Sequence, residues 1–317
     1  MAARSRGGRA VVFTRSCSRG PVHATAIDGQ LLRDLAEGVR PRPSLSWPAM
    51  PNDSPPDRPR ILAATGPLFM TPLDYVMDAI AEAGYDAAEV MVGHNADTQD
   101  AGLILSAAAQ SGVAVRALHG PFLLLLRTVF GTSFASKTTA SMELAAEVGA
   151  DIMVAHAPFR WEVRSRRWMN EEVGALAQRT GVVFGMENLF PVAGRAFSSV
   201  ITVDEMDEFE HLVMDTSHCA VAGIALMAMW RALSHKIVHL HVADNFGNGK
   251  DSHAPIGSGV LPLEEFLAEV GSSGWNGTIT LELDCRAHLE SREALVRFLS
   301  DERRKTQAAL SGHRATL

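Results

Sequence analysis

Val182-Val-Phe-Gly-Met-Glu-Asn-Leu189 is an apolar run that stops on a carboxylate. Runs this short and this apolar belong to strands buried on both faces, as in a parallel sheet. The shape recurs along the chain. Strand-like runs lie at Ile61–Thr65, Ala88–Val92, Val113–Leu118, Ile152–Ala155, Val182–Met186, Leu212–Met214, Ile237–Leu240 and Ile279–Leu281. Helical stretches separate them, among them Pro72–Ala83 closed by Gly84, then Phe134–Val148, Asn170–Arg179, Ile224–Leu233, Leu263–Val270 and Ser291–Ala308. Eight strand–helix units over residues 60–300 predict an α/β fold, a (β/α)8 TIM barrel, whose usual size is about 250 residues.

The ends of these runs carry the chemistry. Six of the eight stop on His119, His156, Glu187, Asp215, His241 or Glu282. Each is a residue type that binds divalent metal, and in such a barrel the C-terminal strand ends ring the face where active sites sit. His218 follows in Met214-Asp-Thr-Ser-His218, and Asp251 and His253 lie in Lys250-Asp-Ser-His-Ala-Pro-Ile-Gly-Ser-Gly259, the loop after the seventh run. Imidazole and carboxylate without thiolate suit zinc, manganese, cobalt or iron. Each residue also has a plainer reading. Asp215 with Thr216 could cap the next helix, Glu282 could form an ion pair on the rim, and Asp251 could be a turn residue. Nine such groups at consecutive strand ends favour a common metal centre holding one to three ions. His239 shares a strand face with His241 but lies one layer deeper, where a packed, hydrogen-bonded role is expected. His94, His211, His235, His288 and His313 are read as solvent or packing residues.

Composition narrows the class. The 317 residues are 47% apolar and 21% charged, ordinary for a globular protein. No apolar run reaches the roughly 18 residues of a membrane span. Cys17, Cys219 and Cys285 are too few and too scattered for a disulfide framework or a cysteine zinc cluster, which points to a reducing cytoplasm. Residues 1–59 hold nine Arg against five acids, so the net −7 leaves −11 for residues 60–317. A body that acidic does not steer toward nucleic acid. Residues 1–59, rich in Arg and Pro, read as an extension outside the fold, disordered or preceding a true start at Met50, with one short helical stretch at Gly29–Val39. Residues 301–317 read as the end of the last helix and a tail.

From about residue 60 to 290 the chain resembles the xylose isomerase-like barrels, a group that includes sugar-phosphate isomerases and epimerases and endonuclease IV. The shared marks are Glu187-Asn188, Asp215-Thr-Ser-His218, His241 and Glu282. In the epimerase branch the resemblance implies one metal on Glu187, Asp215, His241 and Glu282. In the endonuclease branch it implies three metals. His119, His156 and Glu187 would hold the first, and the epimerase set the second. His218, Asp251 and His253 would hold the third. Neither branch fits throughout. The first strand reads Ile61-Leu-Ala-Ala-Thr-Gly-Pro67 where the nuclease pattern has His-x-Ser and a later Gly-Gly. Gly247 stands where ketose epimerases carry an Arg, six residues after His241. Phe122-Leu123 follows His119 where the nucleases place a wedge that enters DNA, or it lines an apolar wall.

The expected activity is therefore a metal-dependent isomerase or epimerase of a small sugar, polyol or sugar phosphate, with zinc or manganese as cofactor. Glu187 and Glu282 are the expected base and acid, and His218 orients a hydroxyl or holds a further ion. The alternatives are a three-zinc phosphodiesterase acting on nucleic acid and a barrel that binds metal without turnover. No membrane partner is expected, and a homo-oligomer is compatible with the sequence.

Overall fold

The computed structural model describes residues 59–122, 126, 128–192 and 194–312. The expectations for residues 1–58, with Cys17, and those for Leu123 and His313, lie outside them. Eight parallel strands pair in chain order and close on themselves. They are β1 Arg60–Ala64, β2 Ala87–Met91, β3 Ala114–His119, β4 Ile152–His156, β5 Val183–Glu187, β6 Leu212–Asp215, β7 Ile237–Val242 and β8 Thr278–Leu281. Each lies within two residues of the expected run. Helices α1 Leu73–Glu82, α2 Ala101–Ser111, α3 Phe134–Val148, α4 Val163–Thr180, α5 Val203–Met206, α6 Thr216–Ala222, α7 Leu226–Leu233, α8 Leu263–Ser272 and α9 Arg292–Leu310 fill the connections. No described helix is long and apolar enough to cross a membrane.

Local chemistry sets the boundaries. Asp100 caps α2 by accepting from the Leu103 N–H at 3.0 Å, and a Ser133–Ser136 capping box opens α3. Gly112, Gly149 and Gly181 close α2, α3 and α4 in the left-handed region. Helix α4 starts at Val163, seven residues before the expected Asn170. Its first turns carry Arg164 and Arg167 outward, so no apolar period announces them.

The interior of the barrel is layered. Ala117, Val154, Gly185, Val213, His239 and Thr280 lie two residues before His119, His156, Glu187, Asp215, His241 and Glu282. A strand's period of two therefore points both sets inward, one above the other. Leu62, Ala87, Ala117, Val154 and Val213 form a fully buried apolar plug beneath the polar layer. Register brings His156 beside Glu187 and Asp215 beside His241. Gly185 is required in this packing. A Cβ there would stand 2.7 Å from Val213 Cγ2 and 2.9 Å from Ile152 Cδ1. Gly185→Ala is expected to cost about 1–3 kcal/mol, the usual penalty for overpacking, read from the urea midpoint. A loss below about 0.5 kcal/mol, the level of an ordinary surface change, would show that the plug yields.

Candidate metal centre

All nine expected residues converge at the C-terminal mouth of the barrel. Glu187 sits at the middle, 1% exposed. Its Oε2 lies 3.3 Å from His119 Nε2 and 2.7 Å from His156 Nε2, and its Oε1 lies 3.0 Å from His241 Nδ1. The same His241 nitrogen is 3.2 Å from Glu282 Oε2 and 3.9 Å from Asp215 Oδ2. Toward solvent, Asp251 Oδ2 meets His218 Nε2 at 3.2 Å and His253 Nε2 at 2.8 Å. Four overlapping groups place their ligand atoms close enough to share an ion: His119–His156–Glu187, Glu187–Asp215–His241 and Asp215–His218–His253 at the mouth, and Glu89–His239–His241, which shares His241 with the second. Glu282 and Asp251 border the second and third.

The main chain aims the rings. His119, His218 and His253 each direct Nδ1 at a carbonyl, those of Gly120 at 2.7 Å, Asn188 at 2.8 Å and Glu282 at 2.9 Å. With Nδ1–H donated there, a neutral ring keeps its Nε2 lone pair for an ion, the arrangement that orients metal-ligating imidazoles. With no ion, a proton on Nε2 donates to the carboxylates instead. Asp215 does two jobs at once. Its Oδ1 caps α6 by accepting from the His218 N–H at 2.7 Å, and its Oδ2 faces the centre. The plainer capping role and the ligand role are thus compatible.

Two buried atoms lack a hydrogen-bond partner here, Asp215 Oδ2 and His156 Nε2. The 2.7 Å approach of His156 Nε2 to Glu187 Oε2 is short but off the line of a hydrogen bond. Buried polar atoms rarely stay unsatisfied, and buried carboxylates are paired or bound to metal. The donor set, hard oxygens and imidazoles without sulfur, fits a divalent ion.

Electrostatics follows from burial and crowding. Burial pushes Asp215 up to about 6, against the pull of His218 and His253. Burial would also raise Glu187, but the charges of His241 and His156 and the hydrogen bond from His119 outweigh it and hold the carboxyl well below its ordinary range. Asp251 is likewise lowered, its burial overcome by hydrogen bonds from His218 and His253. His253 is raised to about 10, since Glu282 and Asp251 outweigh its desolvation. His156 is lowered by burial.

Residues to which the sequence reading gave no role, Asn188 of the shared marks among them, also shape the site. Asn188 ties β5 to β6: its Oδ1 accepts from the Asp215 N–H at 2.8 Å and its amide donates to the Asp215 carbonyl at 3.2 Å. Ser217 donates to Asp251 Oδ1 at 2.7 Å. Asp244 holds the loop that carries Asp251 and His253, accepting from the N–H groups of Asn245, Gly257, Gly259 and Leu261. His253 itself has a φ of +40°, uncommon for a side chain of this size and typical of functional positions. Gly247 has a φ of +68°, so an Arg at this position would be strained. Glu89, on β2, is 1% exposed and meets His239 and His241. A lone acid inside an otherwise apolar strand was its only signal. His239 is buried and hydrogen-bonded, as expected. Phe122 stacks on His119 at 5.6 Å and meets His156 edge-on at 4.4 Å between ring centres, so it walls the first group. Cys219 and Cys285 are buried and unpaired.

Comparison with known proteins agrees with this architecture. The family model for xylose isomerase-like TIM barrels matches residues 77–303. An uncharacterized protein of Mycobacterium tuberculosis is 29% identical over 233 residues, 66% of this chain and 83% of that protein. A putative hydroxypyruvate isomerase of Streptomyces coelicolor is 32% identical over 118 residues, 33% of this chain and 40% of that protein. A solved L-ribulose 3-epimerase superposes with a TM-score of 0.62 at 15% identity, covering 80% of this chain and 95% of that one, a likeness of fold. With its closed eight-stranded barrel and a match over most of its length, the chain belongs to the xylose isomerase-like TIM barrel family.

Proposed function

We propose that the protein is a metal-dependent isomerase or epimerase of a small sugar, polyol or sugar phosphate. The observation that carries this is the pair of carboxylates flanking one imidazole nitrogen, Glu187 at 3.0 Å and Glu282 at 3.2 Å from His241 Nδ1. Glu187, Asp215, His241 and Glu282 would hold the central zinc or manganese. When bound, such an ion polarises carbonyl and hydroxyl oxygens and stabilises the charge that develops on them. Glu187 removes the proton from the carbon beside the carbonyl, and Glu282 returns one from the other side. His218, fixed by the Asn188 carbonyl, orients a substrate hydroxyl. The sugar enzymes among the relatives and neighbours support this substrate class. The test is solvent-deuterium entry at the carbon beside the carbonyl of ketoses and sugar phosphates, followed by NMR on metal-loaded protein. Failure to exchange any member of a broad panel would remove the proposal.

A second reading has its own observation, the convergence of His218 and His253 on Asp251. That is the arrangement a third ion would use in a phosphodiesterase with a metal-bridged nucleophile. Asp251→Ala is expected to lower the metal content by one ion per chain and leave the central ion in place, measured by elemental analysis. Unchanged stoichiometry would make Asp251 a substrate contact. The net −11 of residues 60–317 argues against tight DNA binding. Cleavage of abasic duplex at physiological salt would reverse the order of the two readings.

A further inference from the structure

One imidazole at the centre is turned the other way. His119, His218 and His253 anchor Nδ1 on main-chain carbonyls and face the carboxylates through Nε2. His241 faces Glu187 and Glu282 through Nδ1. Its Nε2 points down into the barrel and meets Glu89 Oε2 at 3.1 Å. The same oxygen receives His239 Nε2 at 2.8 Å and the Thr280 hydroxyl at 3.0 Å. His239 Nδ1 in turn lies 2.5 Å from Thr278 Oγ1. Glu89 is 1% exposed, and His239 and His241 are fully buried.

We infer that Glu89 is a positioning residue that accepts the Nε2–H of His241 and so presents the Nδ1 lone pair of that ring to the central ion, an inference that rests on the metal reading above. A neutral imidazole carries one N–H, and the nitrogen that holds it cannot be a ligand. A carboxylate behind Nε2 keeps the proton there and makes Nδ1 the more basic donor. Main-chain carbonyls do this for His119, His218 and His253, three of the four rings that face the centre through Nε2. No carbonyl serves His241, because its Nε2 lies inside the barrel among side chains. Glu89 takes that place, and it is held by three donors on one oxygen. No atom of Glu89, His239 or His241 is among the described buried polar groups without a partner, whereas Asp215 Oδ2 and His156 Nε2 are. Glu89, His239 and His241 also lie close enough to share an ion of their own, and the ion count in the Glu89 variants separates that case from a hydrogen-bonded support.

The experiment compares wild type, Glu89→Gln and Glu89→Ala. Zinc affinity is read by competition with a chromophoric chelator and zinc count by elemental analysis. Long-range nitrogen–proton NMR reads the imidazoles, and circular dichroism reads the fold. Expected are a wild-type His241 protonated on Nε2 in the zinc form, and an unchanged ion count in all three proteins. Affinity should fall about 10–100-fold in Glu89→Ala, the usual cost of losing an outer partner. Glu89→Gln keeps an acceptor oxygen without the charge and should fall between. Equal affinity in the folded variants would overturn the inference, as would a His241 proton on Nδ1. The loss of one whole ion would also overturn it, because Glu89 would then be a ligand itself. Should Glu89→Ala fail to fold, the near-isosteric Glu89→Gln decides alone, and unchanged affinity there is fatal. A wild type that takes up no zinc sinks the function proposed above. Neighbouring carboxylates raise the His241 pKa in the zinc-free protein, so the ring is then read at a pH high enough to make it neutral: Nε2–H supports the positioning by Glu89 and Nδ1–H overturns it.

Discussion

Glu187→Gln is expected to lower the rate of deuterium exchange by 10²–10⁴-fold, the usual worth of general acid–base help. The substitution nearly keeps the shape of the side chain but removes a negative charge that touches three imidazoles, at 2.7 Å for His156, 3.0 Å for His241 and 3.3 Å for His119. Weaker metal binding adds to the loss, so the assay is run at saturating metal to separate the two. Glu282→Gln should behave similarly, because both carboxylates serve one substrate. The double mutant should lose far less than the product of the single losses, as groups that act as a unit do. Normal exchange in metal-replete Glu187→Gln would make Glu187 a structural residue and move the base to Glu282 or His218.

Chelation is expected to lower Tm by about 10 °C. An ion held at a thousand times its Kd contributes about 4 kcal/mol, and a domain of this size moves about 2–4 °C per kcal/mol. The effect should widen as pH rises. In the stripped protein, protonated imidazoles replace part of the missing positive charge. His253 is raised to about 10. A group whose pKa is raised on folding stabilises fully below its unfolded value, about 6.5, and loses that contribution as pH rises toward 10. The stripped protein thus weakens between pH 6 and 9. The loaded protein does not, because its ligands are already deprotonated and metal affinity improves with pH. Differential scanning at pH 6 and pH 9, with and without EDTA, measures both gaps. No Tm change on chelation at either pH would end the metal reading.

Barrel and site were legible for the same reason. A parallel strand inside a barrel is apolar on both faces until its last residue, so Val183-Phe-Gly-Met-Glu187 announces both the strand and the group at its end. His119, His156, Asp215, His241 and Glu282 were readable in the same way, each as a polar stop on an apolar run. Helix α4 was read short because Arg164 and Arg167 carry no apolar period. Its stability comes from packing through Met169, Val173 and Leu176.

By itself the sequence determined the alternation of strands and helices, the closed barrel this implies, and the residue types waiting at the strand ends. Those are properties of local pattern, repeated every strand–helix unit. Only the tertiary structure decided which atoms face one another. It turned His241 through Nδ1 while its neighbours use Nε2, and it brought Glu89 under His241 from 152 positions away. It also let Asp215 cap a helix with one oxygen and face the centre with the other. Ring orientation depends on which donor or acceptor stands behind each ring, and that partner comes from another strand. Spacing along the chain carries no record of it until the barrel closes.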